Sequence, residues 1–242
     1  MRENSKAAPR TTLVDRMAQA RDRTVAARVE RGGPAATLPP GFAHTQPMEP
    51  TRSLPAMPRA PIPQTSPVTK PGLPWIKSAR PGETVTLMPG EMHFGREAAG
   101  LRTLLGSCVA ITLWHPVRRI GGMCHFLLPA RARRGDEPPE GKYGDEALAA
   151  MVQALLAAGT QPADYTAHLY GGADTMPETL GLKLNVGERN IEQGWSLIDR
   201  YGFQLEGVDV GEDVPRTVTL TLATGAVAMR RGTSATNPAS RT

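Results

Sequence analysis

The stretch from Leu101 to Pro129, LRTLLGSCVAITLWHPVRRIGGMCHFLLP, constrains this chain more than any other. Its β-branched and aromatic residues, bounded by Gly and Pro, favour strand over helix. It reads as two apolar strands, Cys108 to Trp114 and Ile120 to Leu128, joined by the loop His115-Pro116-Val117-Arg118-Arg119. Folded as a hairpin, it brings Cys108 opposite residue 125 or 126, depending on the register of the loop. In the register that pairs Cys108 with His125, the two Cβ atoms lie about 4.5–5.5 Å apart on one face of the sheet. A thiol and an imidazole so placed suit a nucleophile and its general base.

Charge and proline decide how much of the remaining chain joins that core. The 242 residues allow one large domain or two small ones. Residues 1–80 carry 13 Lys/Arg and 5 Asp/Glu, a net +8, while residues 81–242 carry 15 and 18, a net −3. The same first 80 residues hold 13 of the 23 prolines. The basic balance therefore belongs to the N-terminal segment and gives no reason to read the folded part as a nucleic-acid binder. Two cysteines without paired spacing exclude a disulfide scaffold and a structural zinc site. The apolar core of a signal peptide is missing near the N-terminus, and no run approaches the length of a membrane span. A soluble, cytoplasmic protein is expected.

Taken in order, residues 1–80 predict a basic, Pro-rich and largely disordered extension. Within it, Thr11 to Arg31 has the spacing of a thin, Ala-rich helix, and residues 33–75 are too rich in proline for sheet or helix and predict an extended spacer. The folded domain is expected over residues 81–232, with a disordered tail over 233–242. Thr84 to Met88 alternates as a strand ending at the turn Pro89-Gly90, and Met92-His93-Phe94 is a second short apolar piece. After the hairpin, a helix from about Asp145 to Ala158 places Leu148, Met151, Val152, Leu155 and Leu156 on one stripe. A strand follows over Thr166 to Tyr170, then a helix over Gly187 to Arg200 burying Ile191, Trp195 and Ile198. Val208 to Val210, Thr217 to Leu222 and Ala226 to Met229 complete the strands. The order predicts a single α+β domain, a mixed sheet or sandwich with two main packed helices.

The neighbours of the cysteine add to its chemistry. Gly106-Ser107 before Cys108 allows a tight turn that aims backbone N–H groups at a bound carbonyl oxygen. Gly121-Gly122 on the facing strand marks close approach of another backbone and leaves room for a substrate groove. An imidazole beside the thiol is expected to favour the reactive thiolate. The bland alternative is a cysteine packed as a small hydrophobe and a satisfied strand histidine.

GSCVAITL, with His 17 residues after the cysteine in RIGGMCHFLLP, resembles the CheD family of bacterial chemoreceptor glutamine deamidases. The likeness continues through Lys142-Tyr143-Gly144-Asp145, Leu169-Tyr170-Gly171-Gly172-Ala173 and Val186-Gly187-Glu188-Arg189-Asn190. The resemblance implies a cysteine hydrolase with a Cys-His-Thr triad and a fold related to the deamidating domain of cytotoxic necrotizing factor toxins. It implies hydrolysis of selected receptor glutamines to glutamate, an activity that in some members extends to receptor methyl esters, and, as in many species, the phosphatase CheC as a partner. No cofactor or metal and a monomeric state are expected. Carried over, Cys108 matches the nucleophile and His125 the base. The family's threonine position, six residues before the cysteine, holds Arg102 here. Thr103 stands one place later, where strand alternation points a side chain to the opposite face unless a bulge intervenes.

Other features stay bland. No Lys-Ser/Thr follows Gly171-Gly172-Ala173 at phosphate-loop spacing. Arg131, Arg133 and Arg134 form a small basic patch, solvated or suited to docking an acidic receptor helix. His115 has no evident partner, Asp145 and Asp164 show no metal-ligand pattern, and Cys124 points away from any face shared by Cys108 and His125. A non-catalytic module that binds CheC or another chemotaxis protein is the alternative, and a thiol peptidase is weaker because no extended cleft is announced.

Overall fold

A computed structural model describes residues 73–174 and 186–233. The expected helix over Thr11 to Arg31, the residues 233–242 tail beyond Thr233 and most of the Pro-rich segment lie outside the described residues. In chain order the elements are β1 (Thr84–Thr86), β2 (Met92–Gly95), β3 (Gly100–Leu105), β4 (Val109–His115) and β5 (Ile120–Phe126). Helix α1 (Gly144–Ala157), a 3-10 turn (Pro162–Asp164), β6 (Thr166–Gly171) and helix α2 (Val186–Tyr201) follow. The chain closes with β7 (Gln204–Val210), β8 (Arg216–Thr221) and β9 (Val227–Arg231).

The strands form two sheets, a five-stranded one ordered β2-β5-β4-β6-β7 and a four-stranded one ordered β1-β3-β8-β9. Period-two alternation gives each inner strand one face for each neighbour. In β4 both faces are covered, so nearly the whole strand is buried. Leu101 and Leu105 of β3, Val218 and Leu220 of β8, and Ala110 and Met123 of the larger sheet pack into one cluster between the sheets. Both helices lie against the larger sheet, α1 along β2 and β5, and α2 along β4, β6 and β7. The expected mixed-sheet α+β domain with two packed helices is what the chain forms.

Three details differ from the sequence reading. Strand β3 was not separated from the hairpin, and β7 begins four residues before Val208, in a stretch of Gln, Glu and Gly with low strand preference. The domain reaches back before Pro81: Ile76 bridges Met92, and the Trp75 indole N–H donates to the Pro139 carbonyl at 3.0 Å. The hairpin register pairs His115 with Ile120 and Val109 with Phe126, so Cys108 is opposite neither residue 125 nor 126.

At one end of the sandwich a buried ion pair ties the two sheets. Arg216 of β8 is 0% exposed, and its Nε donates to Asp209 of β7 at 2.5 Å. The second oxygen of Asp209 takes Arg231 of β9 at 2.8 Å. Burial alone would raise the Asp209 carboxyl, but hydrogen bonds from Arg216 and Arg231 outweigh it and hold the group below its ordinary value. Asp209→Ala leaves the Arg216 guanidinium buried without its carboxylate. The expected loss is about 3–5 kcal/mol of stability, read as a lower urea midpoint with an unchanged slope.

Candidate active site

The chain passes from one sheet to the other through Gly106-Ser107-Cys108, the corner between β3 and β4. Every carbonyl of that corner is held. Ala173 N–H donates to Gly106 at 2.8 Å and Gly172 N–H to Cys108 at 2.7 Å. The Asn190 amide of α2 donates to Ser107 at 3.1 Å. The turn Gly171-Gly172-Ala173 is therefore the clamp of this corner and not a phosphate loop. Gly171 has φ +108, and a Cβ there would meet the Cys108 carbonyl oxygen, which is why the β6 end can approach so closely.

Ala110 pairs with His125, so the two project from the same face of the larger sheet, towards the smaller one. Cys108 lies two residues before Ala110, and its half-buried side chain packs on the cluster containing Ala110 and Leu105. It is thus a diagonal neighbour of His125, about 7–8 Å away by Cα in a regular sheet, and not the directly opposed residue.

Thr103 meets the imidazole from the other sheet. Its Oγ1 lies 2.7 Å from His125 Nδ1 and donates to the Leu87 carbonyl at 2.8 Å. A hydroxyl has one proton; given to Leu87, it leaves an oxygen lone pair to accept from Nδ1–H. The Leu87 carbonyl, 3.5 Å from Nδ1, also requires a proton on that nitrogen. The tautomer is therefore Nδ1–H, and Nε2 keeps its lone pair. Nε2 is buried with no hydrogen-bond partner, so the Cys108 thiol does not bond to it in this structure.

The family's pattern puts the threonine at position 102 and leaves Thr103 on the opposite face unless a bulge intervenes. Arg102 and Thr103 do alternate, and β3 pairs with β8 without a register shift, but it is position 103 that faces the imidazole. Within β3, Leu101, Thr103 and Leu105 are buried while Arg102 and Leu104 are exposed. Arg102 points away from the imidazole and Thr103 towards it. Thr103→Val keeps the shape but removes the acceptor and frees the ring to change tautomer. The expected result is a change in the His125 tautomer, read from its imidazole 15N chemical shifts, with the fold retained.

Burial sets both protonation states. His125 is 1% exposed, and desolvation lowers its pKa to about 4 against the opposing pull of the Leu87 carbonyl and Glu91. Desolvation likewise raises the Cys108 thiol above its ordinary value, offset in part by its own backbone N–H. The resting pair is neutral thiol and neutral imidazole. The expected thiolate does not arise, because the thiol has lost water without gaining a charged partner.

The remaining sequence-selected residues are placed elsewhere. Gly121 pairs with Trp114 and Gly122 with Leu113, four and three residues along β5 from His125. A Cβ on Gly121 would meet the Leu113 carbonyl and one on Gly122 the His93 carbonyl at 2.5 Å. They mark the expected backbone approach but line packed strands and not a groove beside Cys108. Cys124 is buried on the opposite face, and burial pushes its thiol up to about 12. Arg131 is not a free docking cation: Glu146 and Glu140 each take it at 2.8 Å, and it lies 4.8 Å over the Tyr143 ring. His115 is occupied too, its Nδ1 accepting the N–H groups of Val117 and Arg118 at 3.3 Å. The sequence reading missed Asn190 as part of the site. Its signal was a polar residue on the stripe shared with Ile191, Gly194, Leu197 and Ile198, all buried.

The family model described as CheD chemotactic sensory transduction matches residues 127–231. That segment holds the Gly171-Gly172-Ala173 clamp, Asn190 and Arg216, and begins just beyond His125. A probable chemoreceptor glutamine deamidase CheD of Pseudomonas syringae pv. tomato is 43% identical over 145 residues, 59% of this chain and 86% of that protein. The probable chemoreceptor glutamine deamidase CheD 1 of Chromobacterium violaceum is 40% identical over 155 residues, covering 64% and 80% of the two chains. A Methanococcus maripaludis relative with the same description is 35% identical over 143 residues, covering 59% and 92%. With relatives matched along most of their length, this chain belongs to the CheD family.

Proposed function

We propose that this protein is a chemoreceptor glutamine deamidase, hydrolysing selected glutamine side chains on receptor cytoplasmic helices to glutamate and ammonia. The observation that carries the reading is the Thr103–His125 pair, which presents a bare, buried Nε2 on the sheet face shared by the Cys108 side chain. Membership of a family whose members are described as chemoreceptor glutamine deamidases supplies the substrate class.

Cys108 is the nucleophile, His125 the general base and Thr103 the group that orients the base. As a glutamine side chain enters, Nε2 takes the thiol proton and sulfur attacks the amide carbon. The oxyanion is held by backbone N–H groups of the corner. In a trans peptide the N–H points away from the preceding C=O, and no peptide here is cis. With the carbonyls of Gly106 and Ser107 drawn towards Ala173 and Asn190, the N–H groups of Ser107 and Cys108 face the other way, towards an incoming carbonyl oxygen. The proton on Nε2 then goes to the leaving nitrogen, which departs as ammonia, and water cleaves the thioester to glutamate. Because the resting pair is neutral, proton transfer accompanies substrate docking.

The same reading extends to receptor methyl esters, whose carbonyl accepts the same attack, and places the protein in the cytoplasm as a monomer with CheC as partner. No helix among the described residues is long and apolar enough to cross a membrane. A fold related to the toxin deamidase domain and a Pro-rich extension that stays outside the domain are part of the proposal. Mass spectrometry of receptor cytoplasmic fragments after incubation tests it. A gain of about 1 Da at particular glutamines supports deamidation; fragments left unchanged by a folded, wild-type sample would favour a binding module.

A further inference from the structure

Asn190 sits inside the protein, 0% exposed, on the face of α2 that otherwise carries apolar side chains. Both protons of its amide nitrogen are used. One goes to the Ser107 carbonyl at 3.1 Å and the other to the Leu127 carbonyl at 2.7 Å. Ser107 precedes the nucleophile, and Leu127 lies two residues beyond His125. The amide is planar, with its two N–H bonds fixed at an angle, so it holds the two carbonyl oxygens at one separation, about 5 Å.

The arrangement is costly in another respect. Asn190 Oδ1 is buried with no hydrogen-bond partner. A leucine or alanine would fill an apolar stripe without leaving an unpaired oxygen, so packing does not account for an asparagine here. Two donors aimed at two carbonyls do. The other donors to the corner, Gly172 and Ala173, are backbone groups at the β6 end. Asn190 is the side chain that joins the corner to the strand carrying the base.

We propose that Asn190 is a positioning residue that sets the reach between the Cys108 sulfur and His125 Nε2. It does so by fixing the Ser107 peptide, whose N–H half belongs to Cys108, against the end of β5. The catalytic part of the proposal rests on the deamidase reading; the positional part does not. In Asn190→Ala the Ser107 and Leu127 carbonyls lose their shared donor, the corner relaxes and the sulfur leaves its attacking position. Water then also reaches a thiol whose burial had held it protonated. Catalysis and simple thiol reactivity should therefore move in opposite directions.

The test compares wild type, Asn190→Ala and a control, Thr160→Val. Thr160 is also buried, with its hydroxyl donating to Leu155 at 2.7 Å and pairing with Tyr165 at 2.8 Å. Its partner Tyr165 packs edge-on against His115, the last residue of β4 and the end away from Cys108. Its loss weakens the fold without touching the corner. Asn190→Ala is expected to lower kcat about 100-fold with KM within about twofold, while alkylation of Cys108 by iodoacetamide speeds up severalfold; Thr160→Val changes neither. Should Asn190→Ala match Thr160→Val in both kcat and alkylation rate, the proposal is overturned. A wild type that deamidates nothing sinks the deamidase reading alone, and the alkylation comparison then decides the positional role. If the alanine variant does not fold, Asn190→Asp fills the same space, offers at most one proton to the two carbonyls and carries the same comparison.

Discussion

Cys108→Ala is expected to remove turnover entirely: no glutamine in a receptor fragment gains mass, while the protein keeps its circular dichroism and melts within a few degrees of wild type. The chemical part follows from the thiol being the atom that bonds to substrate, with no second thiol in reach. Cys124 is on the opposite face and fully buried, so it cannot substitute. The structural part follows from the Cys108 environment. The side chain is half-buried at a corner held through backbone carbonyls and Asn190, none of which involves the sulfur. Loss of one small group there costs about 1 kcal/mol or less. Deamidation by the alanine variant at the wild-type rate would refute the assignment of the nucleophile.

His125→Gln is the second large effect, and it has two readouts. Glutamine keeps a polar side chain but takes no proton, so kcat is expected to fall by about 10²–10⁴. The other readout is acid stability. In the unfolded chain the imidazole takes a proton near pH 6.5, whereas the folded group stays neutral down to about 4. The folded pKa is depressed, so the native state is at full strength above 6.5. Stability is then lost progressively as pH falls to about 4 and is flat below, a total of roughly 3 kcal/mol from this group. His168, also lowered by burial, adds to the same slope. His125→Gln should therefore flatten, without abolishing, the decline in urea midpoint between those two pH values. The same low pKa predicts that kcat/KM of the wild type holds on the acid side until near pH 4, where an exposed histidine would fail near 6.5. A limb at 6.5 would mean that the imidazole is solvated in the working enzyme.

Much of this was legible in the sequence because it is local. β-Branched and aromatic content with flanking Gly and Pro marked β4 and β5, and the apolar stripe marked α1 and α2 to within a residue or two; the hairpin register stayed open between residues 125 and 126, and the structure sets Cys108 diagonal to His125 instead. What was not legible depended on the corner. The family's threonine position falls on Arg102, and one step of alternation from it turned Thr103 away, because which face of β3 meets the imidazole depends on how the corner hands the chain from one sheet to the other. The alternation inside β3 itself, Leu101-x-Thr103-x-Leu105, carried the correct answer. Gly121 and Gly122 were correctly read as sites of close backbone approach, but a register shifted from the expected one set them against β4 and β2. The protonation states were hidden for a different reason: whether an imidazole beside a thiol favours the ion depends on how much water both have lost, and burial is a property of the assembled sheets. Asn190 showed only a polar residue in an apolar stripe; its two acceptors, 83 and 63 residues away in the chain, come near only in the folded domain.

The division of the site between two sheets also fixes when a newly made chain becomes chemically competent. Cys108 and His125 are synthesised with β4 and β5, but Thr103 is held in place by a sheet whose other half, β8 and β9, holds the last two strands of the described residues to appear. A growing polypeptide that has emerged only as far as β6 has its thiol and imidazole but lacks the closed sandwich that dries the ring and fixes its tautomer. Such a chain carries the reactive groups without the activity.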